Sequence, residues 1–267
     1  MIHIAITAGG TEETIDGVRK ITNMSSGSLS WHCLEALLAY MHKQNNRDFT
    51  VHYIKAPKAI TKELGEQDAL RVNFIDVTNT QSVYDAVESL MNETAIDVFI
   101  HAMAVSDFSY AYSVSRSDLA EELYLDFMEN KDITIRDIED ILSCPKYRHR
   151  QEDKISSSKE IIMGFETTPN VISLIKKMNP KTFLVGFKLV KHNQDNNLIK
   201  QAEKLRKTNN CDAVFANEAS QLSEKEHAGV LLYKGEPVAP PIGKRKIAEA
   251  IINLAFDKIN KQETTVV

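Results

Sequence analysis

Cysteine and clustered histidine are what this 267-residue chain most conspicuously lacks. It has three cysteines, and Cys33, Cys144 and Cys211 are far apart, without the spacing of a disulfide framework or a zinc site. The eight histidines are scattered in the same way, so no metal-binding pattern emerges from them. This cysteine usage is typical of a reducing compartment, and we expect a cytoplasmic protein.

Excess positive charge and long apolar runs are also missing. The formal net charge is −5 and the sequence pI is about 5.9, so no global positive field favours nucleic acid or an anionic membrane. No uninterrupted apolar run reaches the roughly 18 residues of a membrane-spanning helix, and the first residues lack the basic-then-apolar plan of a signal peptide. With 43% hydrophobic and 26% charged residues, the composition predicts a soluble globular protein that binds neither nucleic acid nor membrane.

Three common catalytic motifs are absent as well. The chain has no G-x-G-x-x-G dinucleotide pattern and no lysine-ending phosphate loop. It also has no G-x-S-x-G nucleophile elbow. Any nucleotide must therefore be held by a less common arrangement.

What the chain does contain is a regular alternation of strand and helix patterns. Apolar, β-branched runs alternate with stretches whose apolar residues recur at helical spacing. This order predicts an α/β fold with a Rossmann-like, doubly wound, mostly parallel sheet. A turn at Lys234-Gly235 predicts a small β-hairpin extension. We expect one domain over residues 1–267, with ligands beyond the carboxyl ends of the strands.

The alternation weakens between Ser109 and about Ile162. This stretch mixes short acidic helical pieces with a polar, basic segment. We interpret it as a flap or insertion at about residues 109–160.

The first stretch with chemical potential runs from Thr7 to Ser30, between the first strand and its helix. Gly9 and Gly10 allow a sharp turn, and Ser25, Ser26 and Gly27 fall where a helix amino terminus presents free N–H groups to phosphate. The alternative is a glycine turn followed by a serine-rich N-cap. An ordinary connection of this kind takes only about 2 to 6 residues, so the length favours a binding loop, in which Arg19 could grip a phosphate or carboxylate and Asn23 could donate to a carbonyl oxygen.

Other polar residues follow later strands. Asp107 comes after a buried strand and is either a ligand-binding carboxylate or a cap. Lys154 and Lys159 frame three serines and form either an anion clamp or a solvated loop. Phe187 could stack on a base or belong to the core, and Asn217 ends another strand.

These stretches, in this order, resemble the phosphopantothenoylcysteine synthetases, also called phosphopantothenate–cysteine ligases. The family's first loop has a glycine-rich turn, then V-R, an asparagine and S-S-G, which correspond to Gly9-Gly10, Val18-Arg19, Asn23 and Ser25 to Gly27. "AVSDF" (104–108), "DKISS" (153–157), "GFKL" (186–189) and "FANEAS" (215–220) match its later motifs.

The resemblance implies a homodimeric ligase of coenzyme A biosynthesis that joins 4′-phosphopantothenate to L-cysteine. The carboxylate of phosphopantothenate would attack the α-phosphate of a nucleoside triphosphate, with Mg²⁺ screening the phosphates, and cysteine would then displace the nucleotide. As a small bacterial-type chain without a fused decarboxylase segment, it is expected to be a stand-alone enzyme that uses CTP rather than ATP. The "FKL" form, which is similar to that of ATP-using relatives, keeps ATP as the alternative.

The resemblance also assigns roles to residues. Asn23, Lys154 and Asp107 are the expected catalytic residues. Phosphopantothenate would contact Asn23, Ala104, Asp107 and, from the other subunit, Arg19. The nucleotide would be held by Gly9, Gly10, Ser25, Ser26, Gly27, Phe187 and Asn217.

The chain departs from the family pattern at two of its motifs, and two other functions are alternatives to the ligase. Met103 replaces a residue that is usually small, and the family's E-T after "GF" is missing. A Rossmann-type oxidoreductase would need a dinucleotide fingerprint that the chain lacks. A non-catalytic nucleotide-binding module would have no need to keep Asn23, Asp107 and Lys154 together.

Overall fold

A computed structural model describes residues 1–130, 132–149, 160–190, 198–218, 228–238 and 242–263. The chain divides into two compact units. The first consists of Met1–Thr11, Asn23–Val105 and Asn170–Val267, and the second of Glu12–Thr22 and Ser106–Pro169. The single domain expected from the sequence stays a prediction.

Strands and helices are numbered here in chain order. The strands are β1 (Ile2–Ala8), β2 (Glu12–Thr14), β3 (Lys20–Thr22), β4 (Phe49–Lys55), β5 (Val72–Asp76), β6 (Val98–His101), β7 (Phe108–Ser115), β8 (Ile161–Thr167), β9 (Phe183–Val190), β10 (Ala213–Glu218), β11 (Gly229–Tyr233) and β12 (Glu236–Val238). The helices are α1 (Ser28–Lys43), α2 (Glu66–Ala69), α3 (Thr80–Glu93), α4 (Arg116–Glu129), α5 (Ile135–Ser143), α6 (Val171–Met178), α7 (Leu198–Asn209) and α8 (Lys244–Glu263).

The first unit is built on an eight-stranded sheet in the order β12-β11-β10-β9-β6-β1-β4-β5. Six neighbouring strands of this sheet pair in parallel, namely β5, β4, β1, β6, β9 and β10. In chain order within the sheet they follow the 3-2-1-4-5-6 arrangement of a doubly wound Rossmann-type fold. The predicted fold class is therefore confirmed.

Helices cover both faces of this sheet. On one face α1 and α8 bury Trp31, Leu34 and Ile251 against strand residues such as Ile6. On the other face α3, α6 and α7 pack on residues that include Phe99. Because a parallel sheet is covered on both sides, its central strands are buried at successive positions rather than at alternate ones. β1 shows this pattern, since every residue from Ile4 to Ala8 is buried.

The antiparallel edge of the sheet is the expected hairpin. β10, β11 and β12 pair in antiparallel fashion, and Lys234 and Gly235 both have positive φ, at 52° and 93°. Two positive φ values in a two-residue turn match the right-handed twist of the flanking strands. The predicted turn is confirmed.

The second unit contains two antiparallel strand pairs, β2–β3 and β7–β8. α4 and α5 follow β7, so the acidic helical pieces expected in this region are present. The two strand pairs were not expected from the sequence. The proposed flap remains a prediction, and two parts of it, residue 131 and residues 150–159, lie outside the described residues.

Two further observations concern properties considered in the sequence. Within the described ranges, no helix has the length and apolar character needed to cross a bilayer. Cys33 and Cys211 are buried, and burial raises the pKa of each thiol to about 12. Because the thiolate is the nucleophile, both cysteines have a packing role in the fold, as the sequence predicted.

Candidate functional site

The candidate site lies where the strand order of the main sheet reverses. β1 leads to β4 on one side, whereas its other neighbour is β6, which follows later in the chain. A crevice forms between the carboxyl ends of two such strands, and ligands of doubly wound sheets bind there. The sequence places Gly9-Gly10 directly after β1 and Ala104 shortly after β6.

Backbone hydrogen bonds join these two strand ends. The Ala104 N–H donates to the Gly9 carbonyl at 2.9 Å, and the Thr11 N–H donates to the Ala104 carbonyl at 3.0 Å. Gly9 has a φ of 90°, a conformation that residues with a Cβ rarely adopt. We call Gly9, Gly10, Asn23, Gly27 and Ala104 the glycine corner.

Asn23 is anchored to this corner by backbone and side chain. Its N–H donates to the Thr11 carbonyl at 3.1 Å, and its Nδ2 donates to Thr11 Oγ1 at 3.2 Å. A Cβ on Gly10 would overlap the Asn23 carbonyl oxygen, so only glycine allows this approach. The Asn23 amide carries a second N–H hydrogen, which makes it a fixed donor for a carbonyl or phosphate oxygen.

The predicted phosphate segment, Ser25 to Gly27, packs against Gly9. Gly27 has a φ of 68°, and a Cβ there would lie 2.9 Å from the Gly9 nitrogen. The Gly27 carbonyl accepts the first helical bond of α1, from Trp31. Ser26 is hydrogen-bonded to the segment that follows β4, because the Ile60 N–H donates to the Ser26 carbonyl at 2.9 Å.

The electrostatics of this segment favour an anion. The first turn of α1 has no acidic residue, and N–H groups at a helix start have no carbonyl partner within the helix. Together with the partial positive charge of the helix terminus, they form a suitable environment for phosphate. Ser25 and Ser26 lie at its entrance, half-buried and exposed respectively.

Phe187 and Asn217 lie near the carboxyl ends of β9 and β10, on the side of the sheet that α1 and α8 cover. Phe187 packs against that core, and its ring centroid is 6.0 Å from that of Phe215. Asn217 follows Phe215 by two residues and so shares its face. Both predicted base contacts are therefore on the same face as the α1 amino terminus. Asn217 is buried and engaged in the structure.

Thr7 in β1 and His101 at the end of β6 lie just before the glycine corner in their strands. Neither residue was singled out from the sequence. Thr7 Oγ1 accepts from the Met103 N–H at 3.1 Å and lies 3.1 Å from His101 Nδ1. Burial lowers the pKa of His101 to about 4, so the imidazole is neutral at pH 7 and shares a hydrogen bond between neutral groups with the Thr7 hydroxyl. The signal in the sequence was weak, because a single threonine and a single histidine in a strand usually indicate ordinary packing.

Arg19 and Asp107 belong to the second unit. The turn between β2 and β3 is organised by Asp16, which accepts the N–H groups of Val18 and Arg19 at 2.9 and 2.8 Å. The Arg19 guanidinium lies 3.6 Å from the same carboxylate, which limits its side-chain freedom. Asp107 is exposed, and its carbonyl accepts from the Thr168 N–H at 3.1 Å.

The two predicted lysines and the question of a metal site remain to be considered. Lys154 and Lys159 lie outside the described residues, so their roles stay predictions. In the part of the chain that the structure describes, no three His, Cys, Asp or Glu side chains converge to hold a metal ion. The residues around the glycine corner instead offer amide and hydroxyl groups, which suit phosphate oxygens better than a bare cation.

Comparison with known proteins agrees with this architecture. The sequence model of the DNA/pantothenate metabolism flavoprotein C-terminal domain family matches residues 1–139 and 145–258. The coenzyme A biosynthesis bifunctional protein CoaBC of Thermococcus kodakarensis is 26% identical over 262 residues, which are 97% of this chain and 51% of that protein. The CoaBC protein of Vibrio vulnificus is 31% identical over 134 residues, covering 49% of this chain and 30% of that protein. The chain thus spans about half the length of the first of these relatives.

A solved structure has a fold similar to that of this chain. The DNA/pantothenate metabolism flavoprotein from Streptococcus pneumoniae has a TM-score of 0.75 and 28% identity, with 97% of this chain and all of that chain covered. The family model extends over both units and includes every described residue of the glycine corner. The chain therefore belongs to the DNA/pantothenate metabolism flavoprotein C-terminal domain family.

Proposed function

We propose that this protein is a phosphopantothenate–cysteine ligase, which forms 4′-phosphopantothenoylcysteine at the expense of a nucleoside triphosphate. The observation that carries the proposal is the glycine corner, which fixes an asparagine amide beside the start of α1, at the point where the strand order of the sheet reverses. The relatives named for coenzyme A biosynthesis support the same reaction. A solved structure of a Cab2 mutant in complex with phosphopantothenate-cysteine has a similar fold at 14% identity.

The first half-reaction makes the carboxylate reactive. A carboxylate oxygen of phosphopantothenate attacks the α-phosphorus, the bond to the bridging oxygen breaks, and pyrophosphate leaves. The acyl-nucleotide so formed has a far better leaving group than the oxide of a free carboxylate. Gly9, Gly10 and the Ser25 to Gly27 segment hold the phosphates, and Lys154 neutralises charge at the α-phosphate.

The second half-reaction forms the amide. The amine of cysteine attacks the acyl carbon, its proton is lost, and the nucleoside monophosphate departs. Negative charge develops on the acyl oxygen, and the Asn23 amide, held by Thr11, is the donor that stabilises it. Ala104 and Asp107 bind phosphopantothenate, and Arg19 reaches its phosphate from the other subunit of a homodimer.

Nucleotide and cation complete the proposal. Phe187 and Asn217 contact the base, and CTP is favoured over ATP because the chain is similar to bacterial members of the family. Mg²⁺ enters with the nucleotide and screens its phosphates. The cytoplasmic location remains a prediction from cysteine usage.

One assay tests the reaction directly. The protein is incubated with phosphopantothenate, cysteine, Mg²⁺ and either CTP or ATP, and pyrophosphate and amide product are followed together. We expect pyrophosphate only when phosphopantothenate is present, and faster turnover with CTP. Equal or better turnover with ATP would overturn the nucleotide preference, and no amide with either nucleotide would overturn the proposed reaction.

The same assay addresses the rival functions. A nicotinamide- or flavin-dependent oxidoreductase on this fold requires a dinucleotide fingerprint, and Gly9-Gly10 is not followed by one. A non-catalytic nucleotide-binding module would bind nucleotide without releasing pyrophosphate. The family relatives favour neither alternative.

A further inference from the structure

The start of α8 breaks a common rule of helix electrostatics. Its first three residues are Lys244, Arg245 and Lys246, and no acidic residue is present in the first turn. Cations are unfavourable at a helix amino terminus because the helix dipole is positive there. A local rule broken without internal compensation is expected mainly at functional sites.

Lys244 differs from its two neighbours in position. Its Nζ lies 3.3 Å from Ser28 Oγ, whereas Arg245 and Lys246 are exposed. Ser28 is the first residue of α1 and is only 8% exposed. The Lys244 ammonium is therefore held directly beside Gly27, at the end of the phosphate segment.

The structural frame fixes this placement. α1 and α8 pack on the same face of the sheet, with Ile247 and Ala248 of α8 in the core that α1 also covers. Gly243 has a φ of 89°, a conformation suited to glycine that turns the chain into α8. The lysine thus belongs to a well-packed element and not to a loose loop.

Among the described residues Lys244 makes no ion pair with a carboxylate, and the first turn of α1 has no acidic residue either. With the Ser28 hydroxyl as its side-chain partner among the described residues, this half-buried ammonium has two further N–H donors for an anion. The phosphate segment next to it is where the proposed function places a polyanion.

We propose that Lys244 binds the polyphosphate of the nucleotide co-substrate, oriented by its hydrogen bond to Ser28. This inference rests on the proposed function for the identity of the anion. Lys244 would supply ground-state affinity from a fixed frame, in contrast to Lys154, which is assigned to charge that develops during nucleotidyl transfer. Since an ammonium recognises phosphate and not the base, it would act equally on CTP and ATP.

Equilibrium binding tests this role without phosphopantothenate or cysteine. Lys244→Gln is compared with Lys246→Gln, which removes the same charge from the same helical turn. Calorimetry with CTP and Mg²⁺ should show affinity reduced about 10- to 100-fold in the first variant, as for loss of a charged hydrogen bond, and less than about 3-fold in the second, as for a screened surface charge. ATP and pyrophosphate should show the same contrast, and Lys244→Arg should keep most of the affinity.

Two further measurements separate binding from a structural role. Cytidine has no phosphate, so its affinity should be the same in Lys244→Gln and wild type. Ser28→Ala keeps the ammonium and should weaken CTP binding less than Lys244→Gln does. Equal CTP affinity in the two glutamine variants, or an equal loss for cytidine and CTP, would overturn the role of Lys244. Wild-type protein that binds CTP through Lys244 but never forms the amide would instead overturn the ligase function.

Discussion

At the scale of single residues, Gly10 shows how a missing side chain shapes the site. Its backbone lies so close to the Asn23 carbonyl that a methyl group would overlap it. Neither residue can move freely, because Asn23 is bonded to Thr11 and Thr11 to Ala104. The absence of a side chain at Gly10 therefore sets the position of the Asn23 amide.

Gly10→Ala should displace Asn23 and reduce both stability and activity. Overlap with backbone cannot be relieved by a side-chain rotation, and a loss of about 1–3 kcal/mol in the free energy of unfolding is expected. Gly65→Ala is the matched control, since Gly65 has a φ of −60° and nothing within 4 Å of its would-be Cβ. Urea unfolding and pyrophosphate release measure the two effects; a Gly10 variant as stable and active as the control would contradict this account of the corner.

Asn23→Ala should separate the two half-reactions. In the proposed mechanism, Asn23 stabilises the acyl oxygen during aminolysis, whereas Lys154 is assigned to nucleotidyl transfer. In the Asn23 variant, acyl-nucleotide should accumulate on the enzyme after a normal first burst of pyrophosphate. In Lys154→Gln, the burst itself should be suppressed. Quenched-flow analysis of both products measures this, and equal, fast formation of pyrophosphate and amide by the Asn23 variant would remove its assigned role.

His101 should make the stability of the fold sensitive to acid. Its pKa falls from 6.5 to about 4 on burial, so between these values the unfolded chain takes up a proton that the folded chain does not. Stability is full above pH 6.5 and falls as the pH decreases, by an amount on the order of 3 kcal/mol at pH 4.

The test is His101→Asn, which keeps an acceptor for the Thr7 hydroxyl but cannot titrate. Its free energy of unfolding should lose less than that of wild type between pH 7 and pH 4. Parallel curves for the His101 variant and wild type would show that His101 contributes nothing to acid sensitivity.

At the scale of elements, periodicity predicted the main sheet well. β1, β4, β5, β6, β9 and β10 and the helices α1, α3, α6, α7 and α8 all arise from strong apolar patterns that are buried on one or both sides. The two strand pairs of the second unit escaped prediction. β2 and β3 have three residues each, too few for a period to show. In β7, serines at Ser113 and Ser115 are buried alongside Tyr112 and Val114, which hides the alternation typical of a strand.

Only part of the candidate site was predictable from the sequence. Gly9, Gly10 and Gly27 could be found because glycines with special conformations cluster at ligand loops. Thr7, His101 and Lys244 could not, since their importance depends on hydrogen bonds between residues far apart in sequence. Sequence patterns carry local conformation, whereas such pairings appear only when the elements are assembled.

Hydrogen exchange should reveal whether residues 109–160 behave as a flap. If this segment orders over bound nucleotide, its amides should exchange markedly more slowly when CTP and Mg²⁺ are added. The α3 amides, on the opposite face of the main sheet from α1 and α8, serve as the internal reference and should change little. Unchanged exchange at 109–160 with saturating nucleotide would count against a flap.

At the scale of the whole molecule, we predict that the proposed homodimer shares residues between its two active sites. Arg19→Ala and Asp107→Ala dimers should each be nearly inactive, because one loses the bidentate partner of the substrate phosphate and the other an orienting carboxylate. After statistical subunit exchange, half of the dimers are mixed and one site in each keeps both residues, so activity should return to about a quarter of wild type. No recovery despite proven exchange would place Arg19 and Asp107 in the site of the same subunit.

The pairing of Thr11 with Asn23 has a consequence for how the protein can evolve. The chain leaves the first unit at Thr11 and returns at Asn23, and the hydrogen bonds between these two residues close a ring around residues 12–22. Once such a ring is closed, doubling its length adds only about 0.6 kcal/mol of chain entropy. Added length in this ring is therefore expected to cost the fold little, while the two residues at its neck resist change and Arg19 must be kept for the proposed substrate contact.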